Sequence, residues 1–172
     1  MLFFKKNNRI NRTKRPFFVT IDKKSDGGYN LTRLYKEKIC MICISNLVKV
    51  YKSKKRKTCK ALDNINLVLP DGGLVFVLGK SGSGKSTLLN LVGGLDNITS
   101  GNIIVDGNDI STFKENEYCN YRNNHIGFIF QDYHLIDELT VFENIGLSLN
   151  LKKEEDKNKV LESLEKVDLS GY

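Results

Sequence analysis

The sequence predicts an α/β fold in which buried strands and helices follow an antiparallel β element, and three patterns support this prediction. Residues 74–78 and 126–130 are unbroken apolar runs, as is typical of parallel strands buried on both faces. Residues 88–92 place apolar side chains at helical spacing directly after the first of these strands. Residues 64–69 carry isoleucine or leucine at every second position, which indicates a half-buried strand.

The antiparallel element comes first along the predicted domain. Residues 41–44 and 47–51 are predicted to form two short strands around Ser45-Asn46, and a basic loop follows at 52–60. The strand at 64–69 ends in a Pro-Asp-Gly-Gly turn. These strands predict an antiparallel hairpin element that leads into the strand at 74–78.

A glycine-rich loop follows that strand and matches the phosphate-binding pattern G-x-x-x-x-G-K-[ST] at every fixed position. Its residues are Gly79, Lys80, Ser81, Gly82, Ser83, Gly84, Lys85, Ser86 and Thr87. The glycines allow backbone N–H groups to point at phosphate oxygens, and the following helix adds the positive end of its dipole. We expect Lys85 to neutralise the β- and γ-phosphates and the Ser86 hydroxyl to complete a Mg²⁺ shell. The loop therefore predicts a P-loop NTPase fold, with a chance match in a glycine-rich loop as the alternative.

The remaining elements follow from similar local signals. Gly93-Gly94 is predicted to close the first helix, and a strand is expected at 103–105. A polar helix is expected at 115–122, and the buried strand at 126–130 ends directly in Gln131. Thr140 and Glu143 form a capping box for a helix that runs to about residue 149. A last amphipathic helix is expected at 153–167, with Val160, Leu161, Leu164 and Val167 on one face.

Charge separates the N-terminal third from the rest of the chain. Residues 1–60 hold 18 Lys and Arg against 3 acidic residues, whereas residues 61–172 hold 9 against 17. Such a basic segment could bind phosphate, nucleic acid or lipid headgroups, although solvated surface charge is the commoner explanation. Residues 1–40 show no usable periodicity, so we expect a basic, disordered extension that precedes a true start at Met41.

The sequence predicts a cytoplasmic protein. Its longest apolar stretch, residues 39–44, is far shorter than the roughly 20 residues of a membrane-spanning helix. The apolar stretch at the N-terminus is too short for a signal peptide. The four cysteines, at positions 40, 43, 59 and 119, are scattered rather than arranged as a disulfide framework.

Several separated motifs together carry a family resemblance. In chain order they are Tyr51 after the two-strand start, Leu-Asp-Asn-Ile at 62–65, Ser-Gly-Ser at 81–83, Gly-Gly-Leu at 93–95, Thr-Ser-Gly at 99–101, Ile-Gly-Phe-Ile-Phe-Gln at 126–131 and Leu-Thr-Val-Phe-Glu-Asn-Ile at 139–145. Residues 41–172 thus resemble the N-terminal half of an ABC transporter ATPase subunit. Within that family they look most like the branch for lipoprotein release, macrolide export and antimicrobial-peptide resistance.

The resemblance implies roles for two further residues. Tyr51 stands at the position of the family's adenine-stacking aromatic residue, where a phenylalanine would serve as well; the alternative is a strand-end tyrosine that packs on the core. Gln131 stands at the family's Q-loop, where the glutamine reaches Mg²⁺ and its water and senses the membrane partner. Lys85 and Gln131 are thus the expected catalytic residues, and Ser86 and Gln131 are the expected magnesium ligands.

The resemblance also implies cofactors, partners and a location. The cofactors are ATP and Mg²⁺. The partners are a second ATP-binding subunit, with dimerisation on ATP binding, and a membrane-spanning permease contacted near residues 131–144; no nucleic acid is expected. Such subunits lie at the inner face of the cell membrane.

The family pattern is truncated before its signature motif. Residues 167–172 resemble the segment just before the Leu-Ser-Gly-Gly-Gln signature, and this signature, the catalytic glutamate and the switch histidine are absent. We therefore expect ATP binding with little or no turnover by this chain. Two alternatives remain open: a non-transport ABC protein that uses its basic arm on nucleic acid or the ribosome, and a non-hydrolysing nucleotide-binding fragment.

Overall fold

A computed structural model describes residues 2–4, 17–20, 40–52, 58–70, 74–150 and 157–169. The chain forms two compact units, Leu2–Ile126 and Gly127–Tyr172. The described strands are β1 Leu2–Phe4, β2 Phe17–Thr20, β3 Cys40–Lys52, β4 Thr58–Pro70, β5 Val75–Leu78, β6 Ser100–Val105, β7 Asn108–Asp109 and β8 Ile126–Phe128. The described helices are α1 Lys85–Val92, α2 Glu115–His125, α3 Val141–Asn150 and α4 Lys157–Glu165, with a 3₁₀ turn at Ile110–Thr112.

An antiparallel sheet with the strand order β4-β3-β6-β7 forms the main part of the first unit. The sequence predicted two short strands around Ser45-Asn46, but β3 is one strand of 13 residues whose register shifts between Ile44 and Leu47. Asn46 adopts a left-handed conformation there, and its N–H donates to Asn66 Oδ1 of β4 at 2.9 Å. A side chain from the neighbouring strand therefore supports a bulge within one continuous strand.

The core of this unit lies between the sheet and α1. The sheet contributes side chains that are almost fully buried: Ile42, Ile44, Leu47, Leu62 and Ile103. Leu88, Leu91 and Val92 of α1 are buried as well, which confirms the helical face predicted for 88–92. The polar helix α2 fixes the C-terminal end of α1.

Two side chains of α2 make these contacts. Tyr121 is buried and donates from its hydroxyl to the Val92 carbonyl at 2.8 Å. Arg122 donates from Nη1 to the Gly94 carbonyl at 2.7 Å. Burial raises the pKa of Tyr121, so its hydroxyl remains a donor at physiological pH.

Strand β5 belongs to a separate small sheet, in which it pairs in parallel with β2. The register aligns Phe17 with Val75 and Thr20 with Leu78. The sequence showed no sign of this strand within 1–40. Most of that segment lies outside the described residues, so its character as a dispensable, disordered extension remains a prediction.

The second unit contains α3 and α4, which pack together. The predicted capping box is present, because the Thr140 N–H donates to Glu143 Oε2 at 2.9 Å and the Glu143 N–H donates to Thr140 Oγ1 at 3.3 Å. In α4, Val160 and Leu164 are buried as predicted, whereas Leu161 is exposed; Val167, which follows the end of α4, is exposed as well. Strand β8, at the boundary of the two units, ends at Phe128, two residues earlier than predicted.

Two further observations bear on the sequence predictions. Cys43 is disulfide-bonded, whereas Cys59 and Cys119 are free and exposed. Among the described helices, none has the length and apolar character needed to cross a membrane.

Candidate functional site

The phosphate loop joins β5 to α1 and is closed by its own lysine. Lys85 Nζ donates to the Gly79 carbonyl at 2.8 Å and to the Lys80 carbonyl at 2.7 Å. Within the loop, the Ser83 N–H donates to the Lys80 carbonyl at 3.2 Å. The ammonium group therefore sits inside the curve of the loop, where a bound anion would meet it.

Gly84 connects the loop to the sheet and needs to be glycine for two reasons. Its φ of +95° lies in the left-handed region, where a side chain is strained. A Cβ atom there would also lie 2.7 Å from the Ala61 carbonyl oxygen and 2.8 Å from Leu62 Cδ2. The close approach to β4 fixes the position at which α1 begins.

The N-terminus of α1 has the properties of an anion site. Gly84 provides no side-chain cap, and the first turn contains no acidic residue. The first N–H groups of a helix have no partner within the helix, and the helix dipole makes this end positive. Ser86 is exposed in this turn, and among the described residues Ser83 Oγ is buried without a hydrogen-bond partner. These donors and the Lys85 ammonium fit a triphosphate.

Tyr51 lies at the end of β3 beside this loop. Its hydroxyl donates to Asp96 Oδ2 at 2.7 Å, and Thr87, in the first turn of α1, lies close enough to influence the pKa of its side chain. Burial raises the pKa of Tyr51, the Asp96 hydrogen bond raises it further, and Thr87 partly opposes this shift. The residue is still 40% exposed, so ring surface remains accessible beside the phosphate loop.

Sequence reasoning missed two residues that hold Tyr51. Lys49 is 7% exposed, and its Nζ lies 2.6 Å from Asp96 Oδ1 and 2.5 Å from the Asn97 carbonyl oxygen. Burial alone would raise the pKa of Asp96, but hydrogen bonds from Lys49, Tyr51 and the Asn97 N–H outweigh it and lower this pKa. A lysine flanked by Val48 and Val50 was the available signal, because a buried ammonium needs a partner.

Gln131 belongs to the second unit and is exposed just after β8. Phe128 and Phe130 stack with ring centroids 5.4 Å apart, and the Phe130 ring lies 4.5 Å from that of His134. Ile129 and Phe130 remain exposed beside Gln131. The first unit thus brings Tyr51 to the phosphate loop, whereas the predicted role of Gln131 at Mg²⁺ remains a prediction.

Comparison with known proteins identifies similar sequences and structures. A sequence profile of the ABC transporter family matches residues 62–172. The chain is 46% identical over 134 residues to the lipoprotein-releasing system ATP-binding protein LolD of Buchnera aphidicola, an alignment that covers 76% of this chain and 58% of the relative. It is 45% identical over 127 residues to the aliphatic sulfonates import ATP-binding protein SsuB of Bacillus thuringiensis, covering 74% of this chain and 47% of that relative.

A solved structure with a similar fold is the dimeric ATP-binding cassette MJ0796 in a post-hydrolysis state, bound to ADP and Pi. The TM-score is 0.64 at 36% identity, covering 73% of this chain and 56% of that one. The chain therefore spans about half the length of the relatives it matches.

Proposed function

The chain belongs to the ABC transporter family, and we propose that it is the ATP-binding part of a subunit that couples ATP binding and hydrolysis to export or extraction across a membrane. The relatives described above are named as ATP-binding proteins of a lipoprotein-releasing system and of a sulfonate importer. These names favour transport over action on nucleic acid. The similarity to LolD agrees with the export or extraction that we propose, whereas the similarity to SsuB fits import equally well.

The observation that carries ATP binding is the position of Lys85 at an uncapped helix N-terminus. Its ammonium donates to two backbone carbonyls at 2.7 and 2.8 Å. Phosphate oxygens of a bound nucleotide would replace these carbonyls as acceptors. Charge-assisted hydrogen bonds to phosphate are about twice as strong as neutral ones. Lys85 and the N–H groups of 80–87 would hold the β- and γ-phosphates, while Tyr51 would stack on adenine.

Magnesium, when bound, neutralises charge between the β- and γ-phosphates. The exposed hydroxyl of Ser86, in the first turn of α1, is the ligand that this unit offers. Gln131 is the second ligand that we propose, from the unit Gly127–Tyr172. Lys85 would thus contact the transferring phosphoryl group, and Gln131 would contact the magnesium ion and its water.

The proposed function also implies protein partners. The segment after β8 exposes Ile129, Phe130, Tyr133, Leu135, Ile136 and Val141. Exposed apolar surface of this kind is typical of protein interfaces. We propose that it contacts a membrane-spanning permease and that a second ATP-binding subunit completes the enzyme, at the inner face of the membrane. The similar cassette MJ0796 is dimeric.

The 172-residue chain itself should bind ATP with little or no turnover. It contains no Leu-Ser-Gly-Gly-Gln sequence, so these 172 residues do not include the donors that the family's signature supplies. Loss of transition-state groups lowers the rate far more than ground-state affinity. A phosphate-release assay on the pure chain tests this. Sustained release that Lys85→Ala abolishes would show that other residues supply the base.

Titration calorimetry with ATP·Mg²⁺ tests binding. Lys85→Ala should weaken ATP binding by at least about tenfold, because hydrogen bonds to charged groups contribute about 1.5–3 kcal/mol. Lys60→Ala is the matched control, since Lys60 is exposed and pairs only with the exposed Asp63 among the described residues. Equal affinity of the Lys85→Ala variant and the unsubstituted chain would contradict the assignment of this loop.

A further inference from the structure

Lys49 is a buried cation next to the nucleotide site with no role in the proposed function so far. Its Nζ reaches Asp96 Oδ1 and the Asn97 carbonyl, and it also lies over the Tyr51 ring, 4.8 Å from the centroid. Asp96 uses its other oxygen, Oδ2, to accept from the Tyr51 hydroxyl at 2.7 Å. The same ion pair therefore contacts the face and the hydroxyl of one tyrosine.

We propose that Lys49 and Asp96 are positioning residues that fix the Tyr51 ring for stacking on a purine base. The Lys49 ammonium occupies one face of the ring, which leaves the opposite face for the base. The Asp96 carboxylate holds the ring at its hydroxyl and so restricts rotation. This inference rests on the proposed function, in which ATP is held by the phosphate loop.

The physical reason is the entropic cost of ordering a side chain on binding. Without these contacts, a tyrosine as exposed as Tyr51 would sample several rotamers. Ordering it when the base binds would then cost entropy and weaken binding. A cation over the ring adds an electrostatic attraction that holds this geometry. Thr87 in the first turn of α1 lies close enough to influence the pKa of the same side chain, so the ring is near the phosphate loop.

A purely structural role for the pair predicts something different. The 96–99 turn is already attached to β3 by other bonds: the Thr99 N–H donates to the Val48 carbonyl at 3.1 Å, and the Val50 N–H donates to Thr99 Oγ1 at 3.0 Å. If the ion pair only stabilised this turn, its loss would affect every ligand of the phosphate loop equally. If it positions the ring, its loss affects only ligands that carry a base.

The experiment compares ATP with inorganic tripolyphosphate, which lacks the base, by titration calorimetry on the 172-residue chain. Lys49→Met keeps most of the aliphatic length and removes the charge, and Lys60→Met on the neighbouring strand is the matched control. We expect Lys49→Met to weaken ATP binding by about threefold to tenfold, part of the loss that removal of a stacking ring produces. Tripolyphosphate binding should weaken clearly less than ATP binding, because tripolyphosphate has no base to stack and responds only to the lost charge of Lys49.

Two further variants cover the case in which an uncompensated Asp96 impairs folding. The double variant Lys49→Met/Asp96→Asn removes both charges, whereas Asp96→Asn removes the carboxylate and leaves the Lys49 ammonium without its counter-ion; both should show the same selective loss of ATP affinity. In a Tyr51→Ala background, Lys49→Met should cause no further loss, because the ring it positions is gone.

Equal weakening of ATP and tripolyphosphate, no change in either, or an additive effect in the Tyr51→Ala background would each overturn the role of the pair. Absence of ATP binding by the unsubstituted chain would overturn the proposed function and this inference together. Normal ATP binding without a selective loss would overturn only the inference.

Discussion

The antiparallel sheet and the strand β5 are both rich in apolar residues, but they bury them to very different extents. In the sheet, Ile44 and Leu47 are fully buried. Along β5, Phe76 is 40% and Leu78 is 47% exposed. The strands of the sheet pair with one another within residues 40–109, whereas β5 pairs with the short strand β2. Stability of the first unit is therefore concentrated in the sheet, and the phosphate loop follows the strand with less burial.

The largest expected effect separates these two regions by stability. Ile44→Ala should lower the free energy of unfolding by about 2–5 kcal/mol, because it leaves a cavity in the core. Leu78→Ala, which removes a similar side chain from β5, should cost less than about 1 kcal/mol, because half-exposed surface gains little from burial. Urea unfolding followed by circular dichroism measures both. Similar losses would show that β5 contributes to the core as strongly as the sheet does.

A substitution at Gly84 tests the contact between the phosphate loop and strand β4 of the sheet. Gly84→Ala should cost about 1–3 kcal/mol of stability and weaken ATP binding, because the new methyl group is strained and meets Ala61 of β4. Gly82→Ala is the control, since Gly82 also has a positive φ, +75°, but open space around it, and should cost about 1 kcal/mol. Thermal unfolding and ATP titration compare them. Equal stability of the two variants would mean that the contact with β4 is not tight.

The pairing of β5 with β2 gives a smaller expected effect. Deletion of residues 1–39 removes β2 and its backbone hydrogen bonds, so we expect a loss of about 1 kcal/mol, the net value of a hydrogen bond or two. Deletion of residues 1–16 is the control: it removes β1 but leaves β2 in place, so the difference between the two deletions measures the contribution of β2. Thermal melting of both deletions decides the question. An unchanged melting temperature on deletion of 1–39 would agree instead with the dispensable extension that composition suggests.

The smallest expected effect is the acid dependence of the Asp96 contribution. A carboxylate whose pKa is lowered on folding stabilises the fold above its unfolded pKa of about 3.9, and this contribution is lost as the pH falls through the lower folded value. The difference in unfolding free energy between the unsubstituted chain and Asp96→Asn should thus be constant at pH 5–8 and shrink below about pH 4. Urea titrations across this range measure it. A difference that grows in acid would contradict the ion pair with Lys49.

Sequence patterns located the elements that depend on local chemistry. The phosphate loop between β5 and α1, the buried face of α1 and the capping box at Thr140 could all be predicted, because the residues responsible lie within a few positions of each other. The bulge at Asn46 could not be predicted, because its support comes from Asn66 on another strand. Helical spacing places Leu161 with Val160 and Leu164, but Leu161 is exposed, and α4 ends at Glu165 before it reaches Val167.

The sequence by itself determined that this protein has a phosphate loop on an α/β scaffold, and it indicated the family through motifs spread over residues 41–172. Only the tertiary structure decided which residues surround Tyr51, because Lys49 and Asp96 are 47 positions apart and meet through the pairing of β3 with the segment after α1. It also decided that Gly84 must approach Ala61 and that β2 pairs with β5. Local motifs define a phosphate site through their own backbone, whereas the orientation of an aromatic ring depends on partners that folding brings from elsewhere in the chain.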